Sequence, residues 1–369
     1  MKIFTEKQID QLILGLSFFS TGGGGLPERG RKRLIYALKK NNYLEFLPPN
    51  DLDDDSISIC TFYMGSASPD TEEIIRKRKS FNFNNIIYEN PIIRAIDILE
   101  NYLNEKIDSV ISLETGAGTT LGSFSASSLL GKYFIDGDYA GRSIPEIYQT
   151  TPYLFEKSFT PMSAVDKFGN EILITNSNSV ISLERMGKML SESSFTSIGM
   201  AGIIMKIKEL KDIYIPGTIS KALEIGEIIY ENSENILKKL ENTITFFILF
   251  EGKLIRRDWT NNNGYMEGYQ YFQGTGEYEN KTLSIWFRNE NHIAWINGEI
   301  VASSPDLIIV LKKDNLFPLN NTDMEVGEKV LVISVPANEK LRSSKSIEIL
   351  GPRHFSFNYD YIPIEKILS

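Results

Sequence analysis

Two aspartates, an arginine and paired glycines are packed into Asp136-Gly137-Asp138-Tyr139-Ala140-Gly141-Arg142-Ser143-Ile144-Pro145-Glu146. Carboxylates held this close push each other's pKa values apart, so that one can hold a proton while the other activates water. Arg142 can fork onto a carboxylate or carbonyl oxygen of a ligand. The same residues also suit an Asx-type turn closed by an internal Asp–Arg pair. A second candidate is Glu114-Thr115-Gly116-Ala117-Gly118-Thr119. Glu114 ends an apolar run, a costly place for a carboxylate that is neither paired nor used. Thr119 or Thr120 suits the cap of a following helix. The third is Ser20-Thr21-Gly22-Gly23-Gly24-Gly25-Leu26-Pro27. Four consecutive glycines lose much backbone freedom on folding and are kept where the chain turns through φ > 0 or something approaches closely. Pro27 suits the first turn of a helix over Glu28 to Lys40. The amides of Gly22, Gly23, Gly24 and Gly25 can then face an oxyanion or a polarised carbonyl. A tight helix-to-helix turn without a ligand fits the run equally. No Gly-Lys-Ser/Thr follows, which excludes a phosphate-binding P-loop.

The elements that would position these residues are legible from periodicity. Ile9, Leu12, Ile13, Leu16 and Phe19 repeat at helical spacing over Glu6 to Phe19. Ser56 to Met64 reads as a buried strand and ends in Gly65-Ser66-Ala67-Ser68-Pro69. A helix is predicted over Asn90 to Tyr102. A strand over Ser109 to Leu113 stops at Glu114, and Thr119 to Leu130 resumes as a helix. Tyr133 to Ile135 is a strand that stops at Asp136. This alternation predicts an α/β N-terminal domain with a mainly parallel sheet, residues 1–163, carrying the Gly-rich loop. In such sheets ligands collect outside the C-terminal strand ends. The loops after Met64, Leu113 and Ile135 are therefore expected to converge on one cleft, with the glycine loop in its wall.

From Ser163 the pattern changes. A hairpin is expected around Phe168-Gly169-Asn170, then helices over Phe195 to Leu210 and Thr218 to Lys239. A mainly β part is expected over residues 244–315, and a further β-rich stretch over Glu328 to Ile362. Residues 164–369 thus read as an α+β C-terminal region.

Composition excludes several partners. A net charge of −9 argues against nucleic acid, whose phosphates it would repel. The longest apolar stretches, such as Ile244 to Phe250, are too short to span a bilayer, so no membrane is expected. One cysteine, Cys60, forbids an intrachain disulfide and, with no leader-like segment, points to a cytoplasmic protein. Two histidines, His292 and His354, cannot form a multi-histidine zinc centre. No metal and no cofactor is expected, although Asp136, Asp138 and Glu114 leave a carboxylate-bound divalent ion open. His292 is read as a surface residue of a turn. The apolar strand Ile244 to Phe250 needs covering, and a homo-oligomer would cover it.

Ser20 to Pro27, Asp136 to Glu146, Pro305-Asp306-Leu307-Ile308 and Gly351-Pro352-Arg353-His354-Phe355 occur in an order that resembles the S-methyl-thiohydantoin desulfurase family, associated with hydantoin metabolism. The likeness spans nearly the whole chain. Its most specific parts are the glycine run and the Asp-Gly-Asp…Gly-Arg…Pro-Glu segment. The family commonly has a Gly-Gly-Ala-Asn-like stretch where this chain has Thr115-Gly116-Ala117-Gly118. The resemblance implies a small cyclic substrate, a ureide or thioureide of S-methyl-thiohydantoin or hydantoin type. Water would attack the ring carbon and a thiol would leave. Glu114, Asp136 and Asp138 are then the candidate catalytic acids and bases. Arg142, Thr115, Gly116 and the four glycines are the candidate substrate-binding groups. The alternative is a non-catalytic ligand-binding or regulatory partner of a hydantoinase or oxoprolinase.

Overall fold

The computed structural model describes residues 1–65, 71–231 and 235–367. The small-residue loop expected after Met64 lies, from Ser66 to Pro69, outside the described residues. Among the described residues five strands precede Asp136: β1 (Lys2–Ile3), β2 (Leu44–Leu47), β3 (Ile57–Met64), β4 (Ser109–Ser112) and β5 (Tyr133–Ile135). They are separated by helices α1 (Glu6–Phe19), α2 (Pro27–Asn41), α3 (Glu72–Ser80) and α4 (Pro91–Leu103), and α5 (Ala117–Leu129) links β4 to β5. β2, β5, β4 and β3 lie side by side and parallel. Leu47 faces Ile135, and Thr61 faces Ser112, so the C-terminal strand ends share one edge. The α/β architecture with a parallel core is the one expected.

Three later strands extend this sheet. β6 (Gly137–Asp138) leaves it for a two-stranded pairing with β10 (Ile215–Pro216), while β9 (Ile198–Lys206) adds antiparallel to β3, β7 (Met162–Val165) antiparallel to β9, and β8 (Glu171–Ile174) antiparallel to β7. The hairpin around Phe168-Gly169-Asn170 forms as β7 and β8. The helix expected over Phe195 to Leu210 does not form over most of that span. Ile198 to Ile203 are buried on both faces of an inner strand, where a continuous apolar run packs as well as it would in a helix. Helix begins only at Ile207.

The sheet's two faces feed two cores. Ile59 and Val110 point into one core with α1, α2, α4, α5 and the helix Thr218–Glu231. Cys60 and Ile111 point into the other, against Tyr139, Leu183, Trp286, Trp295 and Phe355. In the first core, α1 and Thr218–Glu231 cross without room for a side chain. A Cβ on Gly15 would overlap the Ala222 carbonyl, and one on Gly226 the Gln11 carbonyl. Gly226→Ala should destabilise by about 2 kcal/mol, overpacking outweighing the roughly 1 kcal/mol gained in helix propensity. A denaturant midpoint no lower than that of the unmodified protein would contradict this crossing.

The second sheet is antiparallel throughout. It is built from β11 (Phe247–Asn262), β12 (Tyr265–Gly274), β13 (Thr282–Arg288), β14 (Glu290–Ile296), β15 (Glu299–Ser303), β16 (Leu307–Lys312) and β17 (Lys329–Val335). Its order is β15-β14-β13-β12-β11-β17-β16. Leu249 and Phe250 of the apolar strand are covered within the chain, while Ile248 stays exposed. After β17 the expected β-rich stretch gives helix instead over Ser344–Leu350, and a short helix, Ile364–Ile367, follows it. Among the described residues no helix is long and apolar enough to cross a membrane.

Candidate active site

The glycine loop is an inter-sheet joint. Thr21, Gly22, Gly24 and Gly25 all have positive φ. Gly23 and Gly24 show why no side chain is tolerated. A Cβ on Gly23 would overlap the Glu290 carboxyl, and one on Gly24 would lie 2.8 Å from the Gly116 Cα. Backbone bonds tie the loop on both sides: Gly118 N–H donates to Gly24 O (2.8 Å), and Asn321 N–H donates to Gly22 O (2.7 Å). Gly23 N–H donates to Ser20 O, and Gly24 N–H donates to Glu290 Oε1 (3.3 Å). Part of the cradle expected for a ligand oxygen thus holds a carboxyl of the chain itself.

That carboxyl is one of a pair. Glu114 leaves the end of β4, as expected, and is buried. Its Oε2 accepts from Ile144 N–H (2.8 Å) and its Oε1 from the Thr119 hydroxyl (3.0 Å). Burial pushes it up to about 7 against these bonds, and the charge of Asp138 adds to the shift. Glu290, the first residue of β14, is equally buried, and its Oε2 has no hydrogen-bond partner. Burial and then the charge of Glu114 push it up to about 8, against the pull of Arg142. The two carboxyls titrate as a coupled pair, both held above the usual carboxylate range by burial, so the pair keeps a proton to near-neutral pH.

Both carboxyls line a cleft of about 290 Å³. Gly24 and Gly25 form part of its wall. Tyr63, whose ring lies under the Arg33 guanidinium (4.7 Å), forms another. The helix Val180–Ser193 contributes Glu184 and Lys188. Glu184 accepts from Ile147 N–H (2.9 Å) and from the Tyr265 hydroxyl (2.9 Å), and burial raises its pKa. The Lys188 ammonium lies 3.7 Å from Glu184 Oε1 and 4.1 Å over the Tyr265 ring. Glu290, Glu184 and Lys188 were missed by the sequence reading. Glu290 opens a β-rich segment of mixed polarity, and only Glu184–Lys188 carried a local signal, its i,i+4 spacing.

The remaining expected site residues do not line the cleft. Asp136 Oδ1 accepts from Ile219 N–H (3.1 Å) and Ser220 N–H (3.0 Å), and the Ser220 hydroxyl donates to its Oδ2. It caps the helix Thr218–Glu231, where a negative charge meets the positive helix end. Asp136→Ala is expected to cost about 1 kcal/mol of stability. A substrate assay should show turnover unchanged within a few-fold, and a collapse of turnover would count against the capping role. Asp138 is fully buried and accepts from Ala140 N–H (2.8 Å), Gly141 N–H (2.6 Å) and the Thr115 hydroxyl. Burial raises it to about 6. Thr115 and Gly116 therefore brace the loop: Thr115 O accepts from the Ser143 hydroxyl (2.8 Å), and Gly116 N–H donates to the Thr120 hydroxyl (3.1 Å). Arg142 is buried, and all its N–H groups go to protein oxygens.

His292 is not the surface residue expected. His292 is fully buried, against Trp286 and Phe355, with Nδ1 3.1 Å from the Ser304 hydroxyl. Burial lowers its pKa well below the usual imidazole range, so it is neutral. A turn position in sequence became an inward-facing position of β14. His354 Nε2 lies 2.6 Å from Glu146 Oε2. Among the described residues no three His, Cys, Asp or Glu side chains converge as metal ligands would.

Comparison with known proteins places this geometry in a family. No curated protein matches the chain. A crystal structure of a protein from Chromobacterium violaceum superposes with a TM-score of 0.80 over 99% of this chain and 100% of that one, at 18% identity. At that identity the likeness speaks to the fold alone. The family profile described as S-Me-THD-like, N-terminal domain, matches residues 7–176, and its C-terminal counterpart matches residues 177–364. The two matches run end to end over nearly the whole sequence, and the chain belongs to the S-Me-THD-like family.

Proposed function

We propose that this protein is a hydrolase acting on a cyclic ureide or thioureide of the S-methyl-thiohydantoin or hydantoin type. One observation carries the reading beyond family membership. A buried carboxyl with an unpartnered oxygen, Glu290, lines the same cleft as a second carboxyl that titrates near neutrality. Such a pair suits acid–base chemistry at pH 7.

The chemistry balances with these two groups alone. Glu114, as carboxylate, takes one proton from water as its oxygen attacks the ring carbon bearing sulfur. Glu290 gives its proton to the adjacent ring nitrogen, leaving a neutral tetrahedral centre. The C–S bond then breaks. The hydroxyl proton returns to Glu290, the proton on Glu114 goes to sulfur, and methanethiol leaves behind a hydantoin. Gly24 and Gly25 form the wall beside the ring, and the Gly24 amide fixes the orientation of Glu290.

The test is a panel of S-methyl-thiohydantoins, hydantoins and related lactams, followed for thiol release and for ring opening. Thiol release with the ring retained is expected. Stable ligand occupancy without product would overturn the hydrolase reading in favour of a binding module.

A further inference from the structure

Arg142 does not line the cleft, yet its five N–H groups all find acceptors. Nε donates to Ser143 O (3.0 Å), and Nη1 to Pro305 O (2.7 Å) and Asp306 O (3.2 Å). Nη2 donates to the Thr21 hydroxyl (3.2 Å) and to Asn291 O (3.2 Å). These acceptors are four carbonyls and a hydroxyl, and none is a carboxylate. A buried cation bonded only to neutral groups is costly to keep, so its geometry needs a reason. Thr21 opens the glycine loop, and Asn291 follows Glu290. A backbone bond from Asn291 N–H to Thr21 O (2.7 Å) runs beside the guanidinium, and the Gly24–Glu290 bond follows.

We propose that Arg142 is a positioning residue for the acid–base pair: it locks the glycine loop to the start of β14, so that Glu290 enters the cleft beside Glu114. The proposal rests on the hydrolase reading above. A lysine would keep the charge, but its three donors cannot span acceptors that need a planar fork. The charges that face Glu290 are Glu114, Arg142 and Lys188, with the Gly24 N–H bonded to it. Arg142 favours the ionised form of Glu290, and Glu114 opposes it. Without the guanidinium, Glu290 should hold its proton to higher pH.

The test pairs Arg142→Lys with Arg142→Gln, each checked for folding by circular dichroism. A misplacement of about 1 Å in the acid should lower kcat about 10²-fold in both, with little change in KM. The alkaline limb of the pH–rate profile should stay in place in Arg142→Lys and move to higher pH in Arg142→Gln. Infrared difference spectra against pH, with the Glu290 carboxyl band assigned through Glu290→Gln, should show the same upward move. That readout needs no substrate, so it decides the proposal even if no panel compound turns over and the hydrolase reading fails. A Glu290 band that titrates identically in Arg142→Gln and the unmodified protein overturns the proposal. So does an Arg142→Lys protein with undiminished kcat. If both variants fail to fold, Thr21→Val removes one acceptor from the joint. A lowered kcat then supports the proposal, and an unchanged one overturns it.

Discussion

Glu290→Gln is expected to leave a folded protein whose turnover falls by about 10²–10⁴-fold, the usual contribution of a positioned acid. The amide keeps an oxygen for Gly24 N–H, and its NH₂ falls where Oε2 has no partner, so nothing in the loop must move. Glu114→Gln is a less clean experiment. Ile144 N–H can only donate, so the amide oxygen must stay toward it, and the NH₂ then faces the Thr119 hydroxyl, which must turn from donor to acceptor. That rearrangement should cost about 1 kcal/mol of stability in addition to any lost rate. Steady-state kinetics beside a denaturation curve separates the two effects. A Glu290→Gln protein with undiminished turnover would remove Glu290 as the acid.

The second expected result is a stability that falls as pH rises through neutrality. Glu290, Glu114 and Asp138 have folded-state pKa values near 8, 7 and 6, each above its unfolded value and each raised first by burial. Between the unfolded and folded values the native state holds a proton that the unfolded chain has released. The stability contributed by that neutral form is fully present below the unfolded pKa. It is lost as pH climbs to the folded one, at about 1.4 kcal/mol per pH unit for each group. Glu146 works in the opposite direction. Burial pushes it up, but His354, Tyr148 and Arg288 bring it net below the usual value, so its contribution is lost on acidification. Between pH 7 and 8 Glu290 is the one of the three that holds most of a proton the unfolded chain has released, so it carries most of the loss. The unmodified protein should lose about 1 kcal/mol across that unit, and Glu290→Gln much less. Denaturant midpoints at pH 7 and 8 check this, and equal slopes in both proteins would show that Glu290 is already ionised.

Local pattern was enough for the elements whose neighbours are close in sequence. The run Ile57–Met64, the stop at Glu114 and the return at Tyr133–Ile135 predicted parallel strands, and their ends do share one edge. Pro27 opens α2 as expected, and the glycine run does mark a close approach. Family membership was also legible, because it rests on spaced motifs rather than on contacts. Pattern failed at Ile198–Lys206, where an apolar run fits a doubly buried strand as well as a helix.

The roles of the charged groups were decided only by tertiary structure. Asp136 and Asp138 share a turn in sequence, yet one caps a helix that begins at Thr218 and the other bonds its own loop. Arg142 meets oxygens from Thr21 to Asp306. Gly24 and Glu290, 266 residues apart, form the joint beside which the cleft opens. Spacing along a chain says which carboxyls are near each other in sequence. Whether a carboxyl is neutral at pH 7, and whether an oxygen remains for a ligand, depends on desolvation and on hydrogen-bond partners. Those partners arrive only when the two sheets pack together.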